Sequence, residues 1–413
     1  MASAPTSIED VVRSGLCTGC GLCESMAGRD RVEMGLGIEG HMRPLVRERL
    51  PQELEKRIME VCPGANLEGP GKPADAKVEP MWGPVRSVNR SWASDENVRF
   101  HGAGGGTLTA LAAYLLESGE VEAILHVKAD PEKPWLTRST ISRSATELHA
   151  AAQSRYGPSS PLVLTHQLLE EGVRFAVIAK PCDVTAVRAL MKRDARAEQQ
   201  IACLLTIFCG GTHHARVPRA IMRYHGVAEP EVAVFRYRGD GWPGPLRVQT
   251  TSGDVHDMTY QGAWTDRPWK YDLQFRCKVC IDAVGEVADV SVPDGWVMRD
   301  GKPQFDEAPG TNIAIARTAV GSRLLADAEA AGYLTLAPMT VEELEPMHAN
   351  HIARRVGGAA QLFALTLLRQ PVYETSGYGR RFRLSRGGLK DAWGQFRGTV
   401  RRVRGGENRE PNI

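Results

Sequence analysis

The 413-residue chain has neither a long hydrophobic run nor an excess of charge of one sign. No apolar stretch approaches the roughly 18 residues that a membrane-spanning helix needs, so we expect no transmembrane segment. The 51 Lys and Arg residues are balanced by 49 Asp and Glu residues, which gives no reason to expect a nucleic-acid partner. Acidic Glu9 and Asp10 stand where a signal peptide would be basic and then apolar, so we expect a cytoplasmic protein.

The nine cysteines are therefore poor candidates for disulfides and better ones for metal ligation or catalysis. The motifs CTGCGLC and VCPG contain four of them: Cys17, Cys20, Cys23 and Cys62. In bacterial ferredoxins a C-x-x-C-x-x-C run supplies three ligands to one 4Fe-4S cluster, and a distant Cys-Pro supplies the fourth. Two-cluster ferredoxins carry a further cysteine where this chain has Ala27, so we predict one cluster here. A zinc site made by the same four cysteines is the alternative.

Residues 1–70 are predicted to form this ferredoxin-like module. The insertion between Cys23 and Cys62 is expected to form a small hairpin and a helix over the cluster. Residues 71–84 are rich in Pro, Gly and charge and are predicted to be a linker.

A glycine-rich loop opens the next region. Gly104, Gly105 and Gly106 precede Thr107 at a predicted helix start, and a strand is predicted from Ala123. Free amides and the helix dipole favour a phosphate at such a position. The loop matches G-x-G-x-x-G imperfectly, so a plain tight turn is the alternative.

Two cysteines follow buried strands further along the chain. A predicted strand, helix and strand place Cys182 and Cys209 at the carboxyl ends of adjacent parallel strands, where α/β folds build ligand sites. Cys203 lies within the second strand and is expected to be a buried apolar residue.

Cys277 and Cys280 form a C-x-x-C before a strand-like VADVSV. With Cys182 and Cys209 they make a second set of four, for which we predict a second cluster. A thioredoxin-like dithiol or half of a zinc site are the alternatives for this pair. Asp282 and Asp289 are expected to brace the loop.

Several motifs resemble one protein family in their order along the chain: GGGTLTALAAYLLESGEVEAIL, QSRYGPSS, AKPCDVTAVRAL, FCGG, FRYRGDGWPG and CKVCIDAVGEVADVSVPDGW. They look like the β subunits of coenzyme F420 hydrogenases and dehydrogenases, a family that includes 7-hydroxymethyl chlorophyll a reductase and a ferredoxin-dependent divinyl chlorophyllide reductase. The resemblance covers roughly residues 84–335. It implies an N-terminal domain at 85–165, a C-terminal domain at 166–335 with the second cluster, and FAD that exchanges a hydride with an organic acceptor. Ala179 and Lys180 depart from the family's usual Gly-Thr or Gly-Lys before Pro-Cys, which affects the flavin contacts.

The combined prediction is an α/β protein (α+β overall), with a ferredoxin-like 4Fe-4S module followed by an α/β FAD-binding region with β-hairpins. We expect an iron–sulfur flavoprotein oxidoreductase in which two 4Fe-4S clusters and FAD pass electrons from ferredoxin or a partner redox subunit to a small organic acceptor. A flavin takes electrons singly and releases them as a pair, which suits it to a position between clusters and substrate. An electron-transfer subunit without a substrate pocket and a zinc-stabilised binding protein are the alternatives. A homo-oligomer is compatible with the sequence.

Individual residues near the flavin are assigned less directly. Lys180 and His213 are candidate catalytic residues. Lys180 would stabilise negative charge on a reduced flavin, and His213 would donate a proton. Ser154, Tyr156 and Lys180 are candidate flavin contacts beside the Gly104–Thr107 loop. Ordinary strand-end, helix-end and loop roles are the alternatives. Arg236, Arg238 and Trp242 suit an anionic or aromatic substrate, or the surface of a hairpin.

Residues 336–413 are predicted to be a basic, helical extension. Five apolar residues recur at helical spacing near its end: Leu389, Trp393, Phe396, Val400 and Val403. This stripe predicts either a helix that packs on the protein's own core or a docking helix for an acidic partner or an anionic membrane.

Overall fold

The centre of the molecule is a mixed β-sheet. The computed structural model describes residues 3–71, 73, 75–265, 267–378 and 388–410, and within them this sheet has eight strands. In spatial order they are β18 (Leu334–Pro338), β6 (Ser87–Ala93), β17 (Asn312–Ala316), β14 (Val290–Ser291), β10 (Ile201–Thr206), β9 (Phe175–Ala179), β7 (Ala123–Ala129) and β8 (Thr137–Ser142). The four strands β7, β9, β10 and β14 run parallel, and the remaining pairs are antiparallel. The predicted mixed α/β class is confirmed.

The remaining strands form small sheets around the central one. They are the hairpin β1 (Val32–Leu36) and β2 (Met42–Val46), the hairpin β4 (Lys77–Glu79) and β5 (Gly83–Val85), the antiparallel β11 (Val232–Arg236), β12 (Leu246–Thr250) and β13 (Val255–Met258), the pair β15 (Met298–Arg299) and β16 (Lys302–Pro303), and the parallel pair β3 (Asn66–Glu68) and β19 (Glu374–Ser376).

Helices cover the sheet and the N-terminal hairpin. They are α1 (Ile8–Arg13), α2 (Leu22–Ala27), α3 (Gln52–Val61), α4 (Glu96–His101), α5 (Thr107–Glu117), α6 (Ala145–Ala151), α7 (Thr165–Glu171), α8 (Pro181–Met191), α9 (Ala195–Gln200), α10 (Arg216–Tyr224), α11 (Tyr260–Trp264), α12 (Phe275–Lys278), α13 (Ala319–Ala330), α14 (Leu344–Met347), α15 (Ala349–Leu367) and α16 (Leu389–Arg404), with 3₁₀ turns at Glu229–Glu231 and Pro268–Tyr271. None of the described helices combines the length and the apolar content needed to cross a bilayer.

The parallel strands form where the sequence has its most apolar runs. Because both faces of β9 and β10 are covered by helices, nearly every residue of the two strands is buried. β9 and β10 pair in parallel as predicted, and Cys203 is buried within β10. The strand expected from VADVSV is short, because only Val290 and Ser291 pair with their neighbours.

The N-terminal cysteine region shares its core with the sheet. The predicted hairpin and helix between Cys23 and Cys62 are present as β1, β2 and α3. Leu22 and Val61 pack in one apolar cluster with Val177 of β9 and Leu204 of β10. Folding of this region and folding of the sheet are therefore coupled through one buried interface.

The stretch predicted to be a linker also contacts the core. It contains β4 and the start of β5, while residues 72 and 74 lie outside the described residues. Met81 and Trp82 are buried and pack with Ile313 and Ile315 of β17. This segment is therefore held against one face of the sheet.

The basic extension ends in a helix that packs on the protein itself. α16 lies along α15, and Val403 joins an apolar cluster that contains Leu16, Cys17 and Leu362. The stripe is buried at its C-terminal end, whereas Leu389 is 92% exposed and Trp393 is 59% exposed. The core-packing alternative thus holds for the last turns of the helix. Residues 379–387, which carry part of the basic run, lie outside the described residues.

We expect Val403→Ala to lower the free energy of unfolding by about 2 kcal/mol, because it removes buried methyl groups beside the first cysteines. Leu389→Ala is the matched control, since the same helix loses an exposed side chain there, and its effect should stay within about 0.5 kcal/mol. Chemical denaturation of both variants under anaerobic conditions measures the difference. Equal effects of the two substitutions would contradict the packing of α16 on the core.

A second prediction concerns acid stability. Burial lowers the pKa of His126 to about 4 from its usual 6.5, while its Nε2 lies 2.7 Å from the Ser142 hydroxyl. In the unfolded chain His126 is protonated below about pH 6.5, whereas in the folded chain it is protonated only below about pH 4. The contribution of neutral His126 to the free energy of unfolding is therefore fully present above pH 6.5 and is lost as the pH falls toward 4. Compared with His126→Gln, the wild type should lose about 2 kcal/mol more between pH 7 and pH 5. Parallel stability curves for the two proteins would show that His126 is not the buried neutral group described here.

Candidate redox site

The first cysteine motif wraps a small buried cavity. Its loop turns sharply because Gly19 and Gly21 adopt positive φ angles of 75° and 84°. A Cβ atom on Gly21 would lie 2.5 Å from Cγ1 of Val163, so a larger residue would also clash there. All four cysteines of this set line the cavity: Cys17, Cys20, Cys23 and Cys62.

The walls of this cavity suppress ionisation of the free thiols. They are mainly apolar, with Ile8, Val11 and Ile58 among them. Burial raises the pKa of Cys62 to about 11, and it raises the pKa of the other three thiols as well. The Gly19 amide donates a hydrogen bond to Cys17 Sγ at 3.4 Å. A bound cation would stabilise thiolates here, because metal ligation requires the deprotonated sulfur.

The second set assembles at the carboxyl edge of the parallel strands. Cys182 lies in the first turn of α8 and Cys209 three residues beyond β10. Cys277 belongs to α12, and the Thr212 amide donates to its sulfur at 3.3 Å. Burial raises the pKa of Cys209 to about 12, and the neighbouring Cys277 and Cys280 contribute to this rise. The four cysteines predicted to act together are thus neighbours in the fold.

A tetrahedral zinc site needs four sulfurs about 2.3 Å from one ion. Nowhere in the described part of the chain do three or more His, Cys, Asp or Glu side chains lie close enough to hold one shared ion.

The two cysteine sets are joined by buried polar side chains. Gln274 Nε2 donates to the Thr18 carbonyl at 3.4 Å and approaches Cys277 Sγ at 3.5 Å. Arg43 donates from Nη1 to Gln274 Oε1 at 3.2 Å, and its other nitrogens are paired with Glu410. The sets therefore adjoin each other through one layer of side chains.

Arg276 lies in the same layer and has an incomplete set of partners. Its Nη2 donates to the Pro63 carbonyl at 3.2 Å, while its buried Nε has no hydrogen-bond partner. A buried guanidinium with an orphaned N–H fits an anionic neighbour. A cluster held by four thiolates is such an anion. The residues present at both sets therefore fit 4Fe-4S groups, although ligation itself stays a prediction.

Lys180 is placed directly beside the second set. Burial by itself lowers its pKa, but the carboxylate of Asp183 and the sulfur of Cys182 raise the pKa above its usual value. Its Nζ lies 2.7 Å from Asp183 Oδ2 and 3.4 Å from Ser159 Oγ. The lysine is thus a positive charge held near the sulfurs rather than a solvated strand end.

His213 and Tyr156 lie next to each other, and His213 follows Thr212, whose amide donates to Cys277 Sγ. The His213 amide donates to the Tyr156 carbonyl at 2.9 Å, and the rings of both residues contact Trp264. Burial lowers the pKa of His213 to about 4, and its Nδ1 has no partner. The imidazole is therefore neutral at pH 7. Ser154 is half-buried just before Tyr156.

The glycine loop is tightly packed. Gly106 has a φ of +72° and caps α5, which begins at Thr107 as predicted. The amides of Gly105 and Thr107 donate to Asn312 Oδ1 at 2.6 and 3.3 Å. A Cβ atom on Gly104 would lie 2.4 Å from Asn312 Nδ2. These contacts support the tight-turn alternative for this loop, because two of its amides already have an acceptor.

Arg238 occupies an aromatic enclosure close to Tyr156. Its guanidinium lies about 5 Å from the ring centres of Trp242, Tyr260 and Trp296. Nη1 pairs with Asp294 Oδ2 at 2.7 Å, whereas the buried Nη2 has no partner. Arg238 and Trp242 are both buried, so they do not form a hairpin surface. The three rings stabilise the buried guanidinium through cation–π contacts.

Bracing of the loop after the second set follows the prediction. Asp282 Oδ1 accepts hydrogen bonds from the amides of Val284 and Gly285, and Asp289 Oδ2 accepts from the Leu204 amide.

Three residues between the cysteine sets were not predicted from the sequence: Arg43, Gln274 and Arg276. Of these, only Arg276 carries a local signal, because it directly precedes Cys277.

Two family profiles match the middle of the chain. The profile for the coenzyme F420 hydrogenase/dehydrogenase beta subunit N-terminus covers residues 88–178, and that for the C-terminus of the same subunit covers residues 172–342. Cys182, Cys209, Cys277 and Cys280 lie inside these matches. The first cysteine set and the α15–α16 region lie outside them.

Individual relatives are distant. The chain is 24% identical to the coenzyme F420 hydrogenase subunit beta of Methanosarcina barkeri, over 65% of this chain and 86% of that one. It is 26% identical to the F420-dependent formate dehydrogenase 1 subunit beta of Methanococcus maripaludis, over 60% of each chain. It is 23% identical to the coenzyme F420-dependent sulfite reductase of Methanocaldococcus jannaschii, over 70% of this chain and 44% of that one. The last two matches thus span less than two thirds of those relatives.

A solved structure shares the fold. A chain of the F420-reducing [NiFe] hydrogenase complex from Methanosarcina barkeri superimposes with a TM-score of 0.56 and 20% identity, over 72% of this chain and 98% of that one. The two profiles together cover residues 88–342, which include the strands and loops that carry the second cysteine set. The chain therefore belongs to the coenzyme F420 hydrogenase/dehydrogenase beta subunit family.

Proposed function

We propose that this protein is an iron–sulfur flavoprotein oxidoreductase. It would take electrons from ferredoxin or a partner redox subunit and deliver them to a small organic acceptor. The observation that carries the proposal is the pair of adjoining, buried cysteine sets with the orphaned charge of Arg276 between them. The relatives are named as hydrogenase, dehydrogenase and sulfite reductase proteins, which supports oxidoreductase chemistry in general.

Two 4Fe-4S clusters are the proposed metal groups. One would be held by Cys17, Cys20, Cys23 and Cys62, and the other by Cys182, Cys209, Cys277 and Cys280. Clusters of this kind carry single electrons. The apolar walls keep the sulfurs of the first set covered, which distinguishes them from exposed reactive thiols.

FAD is the proposed two-electron group. It would convert single electrons into a hydride equivalent for the acceptor. Tyr156 and Ser154 would contact it beside the second set, with Lys180 contributing positive charge and His213 exchanging a proton through its free Nδ1. The Gly104–Thr107 loop has fewer free amides for a phosphate than its sequence suggests, because the amides of Gly105 and Thr107 already donate hydrogen bonds to Asn312.

The acceptor is proposed to be an anionic ring compound of the deazaflavin class. Relatives are named for coenzyme F420, and the buried Arg238 offers a free N–H within an aromatic enclosure.

A second function is supported by other names among the relatives: several are named as subunits. On that alternative the chain relays electrons within a complex and reduces no acceptor of its own.

The cluster assignment predicts about eight iron atoms per chain in anaerobically purified protein, four for each cubane. Cys20→Ser should remove about half of this iron, because it opens one site and leaves the other intact. Cys203→Ser is the matched control and should retain all of it, since Cys203 is buried within β10. Iron and acid-labile sulfide assays measure both variants. A colourless wild-type protein containing zinc would overturn the proposed function.

The acceptor assignment predicts a selective effect of Arg238→Lys. Lysine keeps a positive charge for Asp294 but removes the free Nη2, so the KM for oxidised coenzyme F420 as the electron acceptor should rise about tenfold, which corresponds to about 1.4 kcal/mol of binding. Reduction of methyl viologen by dithionite-reduced protein should be unchanged. Arg247→Lys, on the neighbouring strand and paired with Asp257, is the control. If neither the wild type nor Arg238→Lys reacts with coenzyme F420 while viologen activity is normal, the deazaflavin assignment is wrong.

A further inference from the structure

Arg276 contacts the segments that carry both cysteine sets. It immediately precedes Cys277 of the second set, and its Nη2 donates to the carbonyl of Pro63, which follows Cys62 of the first set. Its charge interacts with Cys182, Cys277 and Cys280 on one side and with Cys62 on the other. One guanidinium is therefore in electrostatic reach of ligands from both proposed clusters.

The charge of Arg276 is not compensated by a carboxylate. Its guanidinium stacks on Tyr373 at 3.7 Å from the ring centre, and the Tyr373 hydroxyl donates to the Val279 carbonyl at 2.6 Å. Within the described residues, no Asp or Glu side chain lies within ion-pair distance of it. Arg43, in the same layer, differs because Glu410 neutralises it.

A buried cation without a carboxylate partner is unfavourable unless another negative group compensates its charge. Nearby thiolate-bound iron is a compensating anion, and each added electron makes it more negative. A fixed positive charge stabilises the reduced form of a neighbouring cluster more than the oxidised form, and the potential of an iron–sulfur cluster depends on such charges. The effect reaches every cluster close to that charge.

We propose that Arg276 sets the reduction potentials of both clusters together. Its guanidinium stabilises an added electron on either cluster, which raises both potentials and keeps them in step for transfer between the two sites. Reduction of each cluster adds one electron, and Arg276 itself neither gains nor loses a proton or an electron. The proposal rests on the two-cluster function above.

The test compares Arg276→Gln with Arg276→Lys in the full-length, cluster-loaded protein. Both substitutions lose the stacked guanidinium, but only glutamine loses the charge. Redox titration followed by electron paramagnetic resonance should show both midpoint potentials lowered in Arg276→Gln by about 59 mV, a tenfold change for a one-electron couple. Arg276→Lys should stay close to the wild type. Arg317→Gln, a buried arginine that hydrogen-bonds Ser291 and the carbonyls of Trp82 and Val284, is the control and should leave both potentials unchanged.

The outcomes separate this inference from the proposed function. Equal shifts in the Gln and Lys variants would assign Arg276 a purely structural role, and a shift of one cluster alone would overturn the shared effect. If Arg276→Gln does not fold, Arg276→Lys still decides, because a structural role predicts altered potentials and a charge role predicts wild-type values. A wild-type protein with full iron content and unchanged potentials in all variants would refute this inference while leaving the proposed function standing. A wild type without cluster signals would refute both.

Discussion

The cost of burying charge organises the centre of this protein. Two sets of four cysteines are taken out of water, and burial keeps most of their thiols from ionising. Arg43 and Arg276 are positively charged and buried between the two sets. Glu410 neutralises Arg43, whereas no carboxylate of the described residues pairs with Arg276. Thiolates and iron would balance this arrangement, whereas free thiols leave it electrostatically incomplete.

Three distant parts of the chain are needed to enclose this layer. The N-terminal loop supplies one cysteine set, the parallel strands place the other at their carboxyl edge, and the C-terminal residues close the side through Glu410 and Val403. Lys278, between Cys277 and Cys280, also pairs with Glu407 at 2.8 Å. The region beyond the family match is therefore part of the site's enclosure, while the exposed stretch around Trp393 remains free for other contacts.

Local sequence patterns predicted the helices and strands well, but they did not predict the contacts between residues that are distant in the sequence. The spacing in CTGCGLC, the apolar runs of β9 and β10, the hairpin after Cys23 and the helix at Thr107 depend on neighbouring residues, so the sequence suffices for them. The Arg43–Gln274 contact joins residues 231 positions apart, and Asn312 reaches the Gly105 amide across 207 positions. No periodicity encodes such pairs, so the sequence did not reveal the layer between the two cysteine sets, and it left the glycine loop open between a phosphate site and a plain tight turn. The grouping of cysteines was foreseen, but their ligation and the flavin contacts remain predictions.

Anomalous diffraction from crystals of anaerobically purified protein, recorded on both sides of the iron absorption edge, tests directly whether two separate iron clusters lie on either side of Arg276. We expect two peaks of anomalous density, one enclosed by Cys17, Cys20, Cys23 and Cys62 and one by Cys182, Cys209, Cys277 and Cys280. A single iron peak, or peaks that appear at the zinc edge instead, would contradict this expectation.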